Sequence, residues 1–528
     1  MSDPERETHI GPRASRRLVM QSGLAMAGGL LFAGAAGRAM AASAAPIVRL
    51  KPSVAERSIP SRMLGMNTPG VFDVPYEDPK YLAALKAVAP NIIRFPGGTV
   101  GNYYNWRIGY MEVPDGPGAS VYRKYLIKNA LPASRKLHPK GIFIEDWVKI
   151  ARDMDAALVF NPNLESSSLD EQGAWFADMH GKGIVPNLIE MGTEFFLAMF
   201  MDPLTLNIFP DWAATMKRTK QYYDVMKPYL PKDAKVAVQS ASSSFHESNP
   251  AASANALTRH EAQWDADMKP EPWFDAVTTH LYPGLEGSAG AGALKGLPGN
   301  ADQVYAAMIA RADEGFDRTL DETAARMPGK EIWMTEWGAF EAAQTLGGAS
   351  AYFSGMWLHQ VTRGQLSILR HPRVVLSNFH SAFASGNIMS TFTRANGDYV
   401  PINAASVIHW FFTASRGPDA HYQRLEVEGA ERISANGTVP GERFWDVEAG
   451  IFRRGKEHVL LVHNAWKTPR QIDLSLVIAP DTPIAAETIA TPDLLVDLEK
   501  GTPVPQPLPT TPVLEVPPYS LTRVSWSA

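Results

Sequence analysis

The chain has no cysteine at all, which excludes disulfides, thiolate metal sites, a cysteine nucleophile and a lipoprotein anchor. It has no concentrated basic face. A net charge of −5 spread over 528 residues speaks against a nucleic-acid binder. No glycine-rich fingerprint follows the first strand-like run, so an open doubly wound dinucleotide fold lacks its signature. No His-x-His or equivalent cluster stands at a strand end, which leaves a metal-dependent hydrolase without ligands and predicts no metal and no cofactor. What the chain does have is apolar content (45%) sufficient for a large core, and 13 tryptophans.

The first forty-odd residues read as an address. Ser15-Arg16-Arg17-Leu18-Val19-Met20 is a twin-arginine signature, a Gly/Ala-rich uncharged segment follows to Gly37, and Ala39-Met40-Ala41 is a small-residue cleavage site. The expectation is a signal peptide over 1–41 and a mature protein in the periplasm or outside the cell, with no membrane span after cleavage. Residues 42–60 then form a linker and one strand, Ile47–Leu50, that pairs into a later sheet.

From 61 to 416 strand and helix patterns alternate. The candidate strands are Arg62–Met66, Asn91–Phe95, Ala157–Asn161, Val185–Met191, Lys235–Ser240, Asp275–His280, Glu331–Glu336 and Val374–His380. Helical patterns fall between most of them, the faintest at Leu257–Met268. Eight repeats of strand and helix predict a closed parallel (β/α)8 TIM barrel. From 417 to 528, short strand-like runs separated by Pro, Gly and Asn turns predict a C-terminal β-sandwich.

A parallel barrel gathers its strand C-termini on one face, so chemistry is sought there. Strand four, VPNLIEMG, ends in Thr193-Glu194; strand seven, EIWMTEWG, ends in Thr335-Glu336, 142 residues on. Two such glutamates are the simplest pair able to divide acid/base and nucleophilic work on one substrate. Around them fall Arg94 and the Asn102–Trp106 loop after strand two, His280 and Tyr282 after strand six, Trp337 after strand seven, and His380 after strand eight. Arg94 and Tyr282 can hold Glu336 ionised, and the phenylalanines behind Glu194 can raise its pKa. Glu190, deeper in strand four, is a rival acid expected to pair with an interior base. Glu165 is a candidate for the cleft wall.

RFPGGT at Arg94–Thr99, IEMGTE at Ile189–Glu194, THLYP at Thr279–Pro283 and TEWG at Thr335–Gly338 together resemble clan A glycoside hydrolases, most of all the heparanase and β-glucuronidase type, with the arabinofuranosidase type next. The resemblance spans about residues 46–528. It implies a retaining glycosidase with Glu194 as proton donor and Glu336 as nucleophile. It also implies a carbohydrate partner, with Arg94, Thr193, His280, Tyr282, Asn102, Trp106, Trp337 and His380 as binding and positioning residues. Two departures stand out. Thr193 replaces the asparagine that usually contacts the sugar 2-hydroxyl, and strand eight lacks the usual tryptophan platform. A carbohydrate-binding protein that has lost catalysis is the alternative. The 107–140 stretch carries seven Lys and Arg against Glu112 and Asp115. It reads as a long rim loop suited to an anionic, uronate- or sulfate-bearing glycan. Sugar identity, linkage and oligomeric state are not encoded in any motif.

Overall fold

The computed structural model describes residues 45–528 apart from 53, 69–74, 242–255, 283–300, 339–344, 347–348, 351–353, 384–389 and 436–441. The export segment and Pro283 lie outside the described residues. No helix among those described is long and apolar enough to cross a membrane.

Eight parallel strands close into a barrel: β1 (Leu64–Asn67), β2 (Ile92–Phe95), β3 (Ala157–Phe160), β4 (Leu188–Glu190), β5 (Lys235–Gln239), β6 (Ala276–Leu281), β7 (Glu331–Trp337) and β8 (Val374–Phe379). Every predicted strand has its counterpart. Their apolar runs are buried on both faces, as in β2, where all four residues are buried. This is what a parallel sheet under a helical layer requires. The faint helix is real and spans Ala256–Asp267. A helix at Ala405–Ser415, which the sequence reading lacked, completes the ring before the second region.

The C-terminal region is a ten-stranded sheet that curls around its own apolar core of residues such as Val48, Leu425, Leu460, Ile472, Leu514 and Val524. Ile47–Lys51 is a member of it, antiparallel to His421–Glu428 and parallel to Arg470–Asp473. The segment before the barrel is thereby fastened to the far end of the chain.

The expected rim loop needs correction. Much of 107–140 is helical: Val121–Tyr125 and Leu131–Leu137 are α-helix, joined through a π-type turn at Leu126–Ala130. Ser120 caps its start by accepting from the Arg123 N–H. Buried Arg123, Leu126, Ala130 and Ser134 recur at three- and four-residue intervals. The density of lysine and arginine obscured that period.

Candidate active site

The bend after β4 presents Glu194. Gly192 has φ 77°, and a Cβ there would lie 2.3 Å from the Phe195 ring, so only glycine fits the turn. Glu194 itself sits in the left-handed region at φ 56°, a conformation that persists where its surroundings dictate it. Two amides do so. Asn102 brackets the Thr193 peptide, donating to its carbonyl (2.7 Å) and accepting from its N–H (3.1 Å). Gln239, at the end of β5, accepts from Phe195 N–H (2.7 Å) and donates to Met191 O (3.1 Å).

Glu336 owes its position to a bulge. Between Thr278 and His280 the partner strand β7 advances from Trp333 to Glu336, one residue more, and it does the same against β8 between Ser377 and Phe379. Consecutive residues of a regular strand face opposite sides; the extra residue relaxes that alternation. Thr335 and Glu336 therefore both reach the barrel's interior groups. Thr335 donates to Glu190 (2.7 Å), and Glu336 meets Arg94 Nη1 (2.5 Å) and the Tyr282 hydroxyl (2.7 Å). Trp337 is correspondingly turned to the helical layer. It is 2% exposed and packs edge-on against Phe316 and Phe379, not on the rim where the sequence reading put it.

Arg94 organises the floor. Its guanidinium grips Glu190 at two points (2.7 and 2.9 Å), Glu336 at a third, and the Thr193 hydroxyl at a fourth (2.9 Å). Glu190 thus serves as the interior partner of a base. Thr193 and Asn102 are both fully buried, so they act on the turn that carries Glu194 rather than standing open in the cleft. Gly98, at φ 60°, passes so close that a Cβ would sit 3.3 Å from Glu336 Oε1.

His280 bridges the two carboxylates. Its Nδ1 is 2.9 Å from Glu194 Oε1 and 3.7 Å from Glu336 Oε2, while Nε2 meets Thr335 Oγ1 at 3.0 Å. Burial opposes the charged imidazole, but the negative charge of Glu336 and hydrogen bonds to Glu190 and Glu194 outweigh it and push its pKa to about 10. Burial would likewise raise Glu336; the positive charge of His280, then of Arg94, holds its carboxyl well below the usual carboxylate range. One oxygen each of Glu194 and Glu336, with one nitrogen of His280, lie within 4.8 Å of one another. Such a trio has the donor spacing of a cation site, and the Arg94 guanidinium stands against Glu336 beside it. Two carboxylates this near can divide nucleophilic and acid/base work on one bond.

His380 is held by Asn67 (2.8 Å) and meets the Tyr282 ring edge-on at 6.0 Å. Burial lowers its pKa. Trp106 is the second correction. It stacks on Trp175 of the outer helix Leu169–Gly181 at 6.5 Å, with the Arg107 guanidinium 4.4 Å from its ring centre. It is half-buried in the helical layer and joins none of the contacts around Glu194 and Glu336. Glu165 is also buried rather than lining a cleft, paired with Arg123. The sequence reading passed over Thr99, whose hydroxyl donates to Glu194 Oε2 (2.8 Å), and also Gln239, Asn67 and Thr335. Thr99 closes the RFPGGT motif and Thr335 precedes Glu336, so both were within sight. Nothing local marks Gln239 or Asn67. A separate cavity of about 660 Å³, lined by Ile144, Val148, Leu188 and Trp333, contains none of these groups.

No protein-family profile matches the sequence, and no curated protein is detectably similar to it. Solved structures are. AbfB, a family 51 α-L-arabinofuranosidase from Bifidobacterium longum, aligns over 91% of this chain and 99% of its own at 13% identity, with a TM-score of 0.62. The likeness is one of fold. An α-L-arabinofuranosidase from Thermotoga maritima (14% identity, TM-score 0.58) covers 91% of this chain and all of its own. A family 44 xyloglucanase from Paenibacillus polymyxa (11% identity, TM-score 0.57) covers 92% and all of its own. The barrel and the appended sandwich are matched together in each case.

Proposed function

We propose that the protein is a retaining glycoside hydrolase of the clan A type, acting on a poly- or oligosaccharide. The observation that carries this is the placement of Glu194 and Glu336, with carboxylate oxygens within 4.8 Å across His280 and with Arg94 and Tyr282 both bound to Glu336. Glu336, ionised, attacks the anomeric carbon. The glycosidic C–O bond breaks, its electron pair goes to the leaving oxygen, and Glu194 delivers the proton. Water then reverses the sequence: Glu194 takes a proton from it, the oxygen attacks the anomeric carbon, and the Glu336 carboxylate departs. The His280 Nδ1–Oε1 contact orients the Glu194 carboxyl.

The heparanase-like reading predicts a uronate- or sulfate-bearing substrate, and the rim helix supports it less than its composition suggested. Arg123 is tied to Glu165 and Asp202, and Arg107 to Glu171. Lys124, Lys128, Lys136 and Lys140 enter no ion pair among the described residues, and a preference for anionic chains rests on them. The arabinofuranosidases and the xyloglucanase of like fold support arabinose-bearing glycans and xyloglucan as the competing substrates. We further propose export by the twin-arginine route, which cell fractionation with Arg16→Lys/Arg17→Lys tests. Product analysis over plant, algal and bacterial polysaccharides, with Glu336→Ala as control, tests the activity. Binding without cleavage of any polysaccharide or aryl glycoside would favour the non-catalytic alternative.

A further inference from the structure

The seam between barrel and sandwich holds a buried pair of histidines that the reaction centre does not use. His359 lies on the helix Gly355–Arg370, between β7 and β8, and His463 on the sandwich strand Glu457–Asn464. Both are fully buried. Their ring planes lie 10° apart with centroids at 5.4 Å, and His359 Nδ1 faces His463 Nε2 at 3.2 Å. That is the geometry of an in-plane bond with one hydrogen between two neutral imidazoles. His359 Nε2 meets the Thr491 hydroxyl, while His463 Nδ1 is buried with no hydrogen-bond partner among the described residues.

No carboxylate bonds to either ring among the described residues. The charges around the pair are Arg363, one turn along the same helix, and Arg370 beyond it; Asp313 and Asp317 from the 311–326 segment; and Glu448 on the strand Val447–Arg454, directly across the sheet from His463. The arginines take up these acids. Arg363 Nη1 meets Asp313 (3.2 Å) and Glu448 (2.5 Å), Arg370 meets Asp317, Asp313 and Glu448, and Arg424 also reaches Glu448 (3.4 Å). Tyr305 and Tyr519 pack their rings against His359 at 5.9 and 6.1 Å and carry no charge at acid pH. Burial, and after it the positive charge of Arg363, lowers His359 to about 3 and His463 well below its ordinary value. Burial would raise Glu448, but Arg370 and then Arg363 hold it at about 2, so its ion pairs outlast the neutral histidines on acidification.

The helix that carries His359 ties the sandwich to the nucleophile strand. Its first N–H groups, of Gly355 and Met356, donate to Val496 O (3.2 Å) and Leu494 O (3.1 Å) of the C-terminal region. Gly364, next to Arg363, packs so closely on Trp337 that a Cβ would sit 2.9 Å from its ring, and Trp337 follows Glu336. We propose that the His359–His463 pair is an acid-responsive latch: a proton taken up by either ring puts a second cation beside Arg363 in a buried seam, helix and strand part, and the packing behind Trp337 and Glu336 loosens. The latch works whatever reaction Glu336 performs. A histidine whose folded pKa is depressed gives stability that is fully present above its unfolded value, about 6.5, and lost as pH falls toward the folded one. Each ring therefore raises the opening constant by up to about tenfold per pH unit below about 6.5. Asp317, raised by burial, takes its proton more readily in the folded chain and works the other way.

The test asks whether acid opens the seam before it opens the rest. Amide hydrogen exchange of the full chain, read by mass spectrometry and corrected for the intrinsic pH dependence of exchange, is compared at about pH 7 and pH 4.5. Peptides from Gly355–Arg370 and Glu457–Asn464 are expected to lose tenfold or more in protection, and peptides from β1 to β4 to keep theirs. Equal losses along the whole chain, or no loss in these two segments, overturn the latch. The double variant His359→Gln/His463→Gln, uncharged at every pH, separates the histidines from the surrounding acids. Between about pH 6 and 4.5 the unfolding constant in urea should climb more steeply in wild type than in the variant, by up to about a hundredfold per pH unit for the two rings together. Parallel slopes overturn the assignment to this pair. Should the variant fail to fold, the exchange pattern of the wild type decides.

Discussion

Raising the pH is expected to unfold this protein by way of His280. Its imidazole is buried, 6% exposed, between Glu194, Glu336 and Glu190, and keeps its proton to about pH 10 against an ordinary 6.5. The folded value lies above the unfolded one. The stabilisation is therefore fully present below about pH 6.5 and is lost as pH rises through about 10. A displacement of that size corresponds to at most about 5 kcal/mol, a large fraction of a typical domain's stability. Part of it is shared with Glu336, whose depressed carboxyl works in the opposite direction: its contribution is present above about pH 4.5 and is lost on acidification below that. The two together put the site's stability maximum between about pH 4.5 and 6.5. Urea unfolding across about pH 5–10 on wild type and His280→Asn checks this. Wild type should lose several kcal/mol more than the variant over the alkaline half. Parallel curves, or a neutral His280 ring by nitrogen-15 NMR near neutral pH, would refute it.

Glu194→Ala should retain most activity on substrates with good leaving groups and lose orders of magnitude on natural glycans, because only poor leaving groups need the proton; equal losses measured on an aryl glycoside and a polysaccharide would contradict the donor role. Arg94→Lys offers one cationic tip where the guanidinium serves two carboxylates, so Glu190 or Glu336 is left unmatched. Melting and denaturant curves should show a loss of about 3–5 kcal/mol, and the acid limb of the pH–rate profile should move to higher pH as Glu336 is held down less. If the lysines of the rim helix capture anionic chains, KM for a uronate-bearing glycan should climb between low and physiological salt, and a neutral polysaccharide turned over faster, without salt dependence, would rule that preference out.

The barrel was legible because each strand shows an apolar run, and most are ended by a glycine, proline or carboxylate. Glu194, Glu336, Arg94, His280 and Tyr282 converge for the same reason, since strand C-termini must share a face. What the sequence hid was parity. A single extra residue in β7 sends Thr335 and Glu336 inward together and Trp337 outward, and no local pattern signals a bulge. Charge density misled in a second way. Seven basic residues over 107–140 read as a long rim loop for an anionic glycan, although Arg123 is a buried tether and 121–137 is helical. Trp106 failed for a third reason: an aromatic near the rim satisfies its apolar surface equally well against an outer helix. Long-range contacts such as Gln239 to the Glu194 turn were beyond any reading of one chain.

The account stands or falls on Glu336 forming a covalent bond to sugar. Once turnover identifies the sugar, an activated 2-deoxy-2-fluoro glycoside of it should inactivate the enzyme stoichiometrically, and mass spectrometry of a protease digest should find one added glycosyl residue on the peptide holding Thr335-Glu336-Trp337. Inactivation should be absent in Glu336→Ala. A label on any other carboxylate, or an enzyme that turns its substrate over yet is never trapped and releases the inverted anomer first, would contradict the central claim.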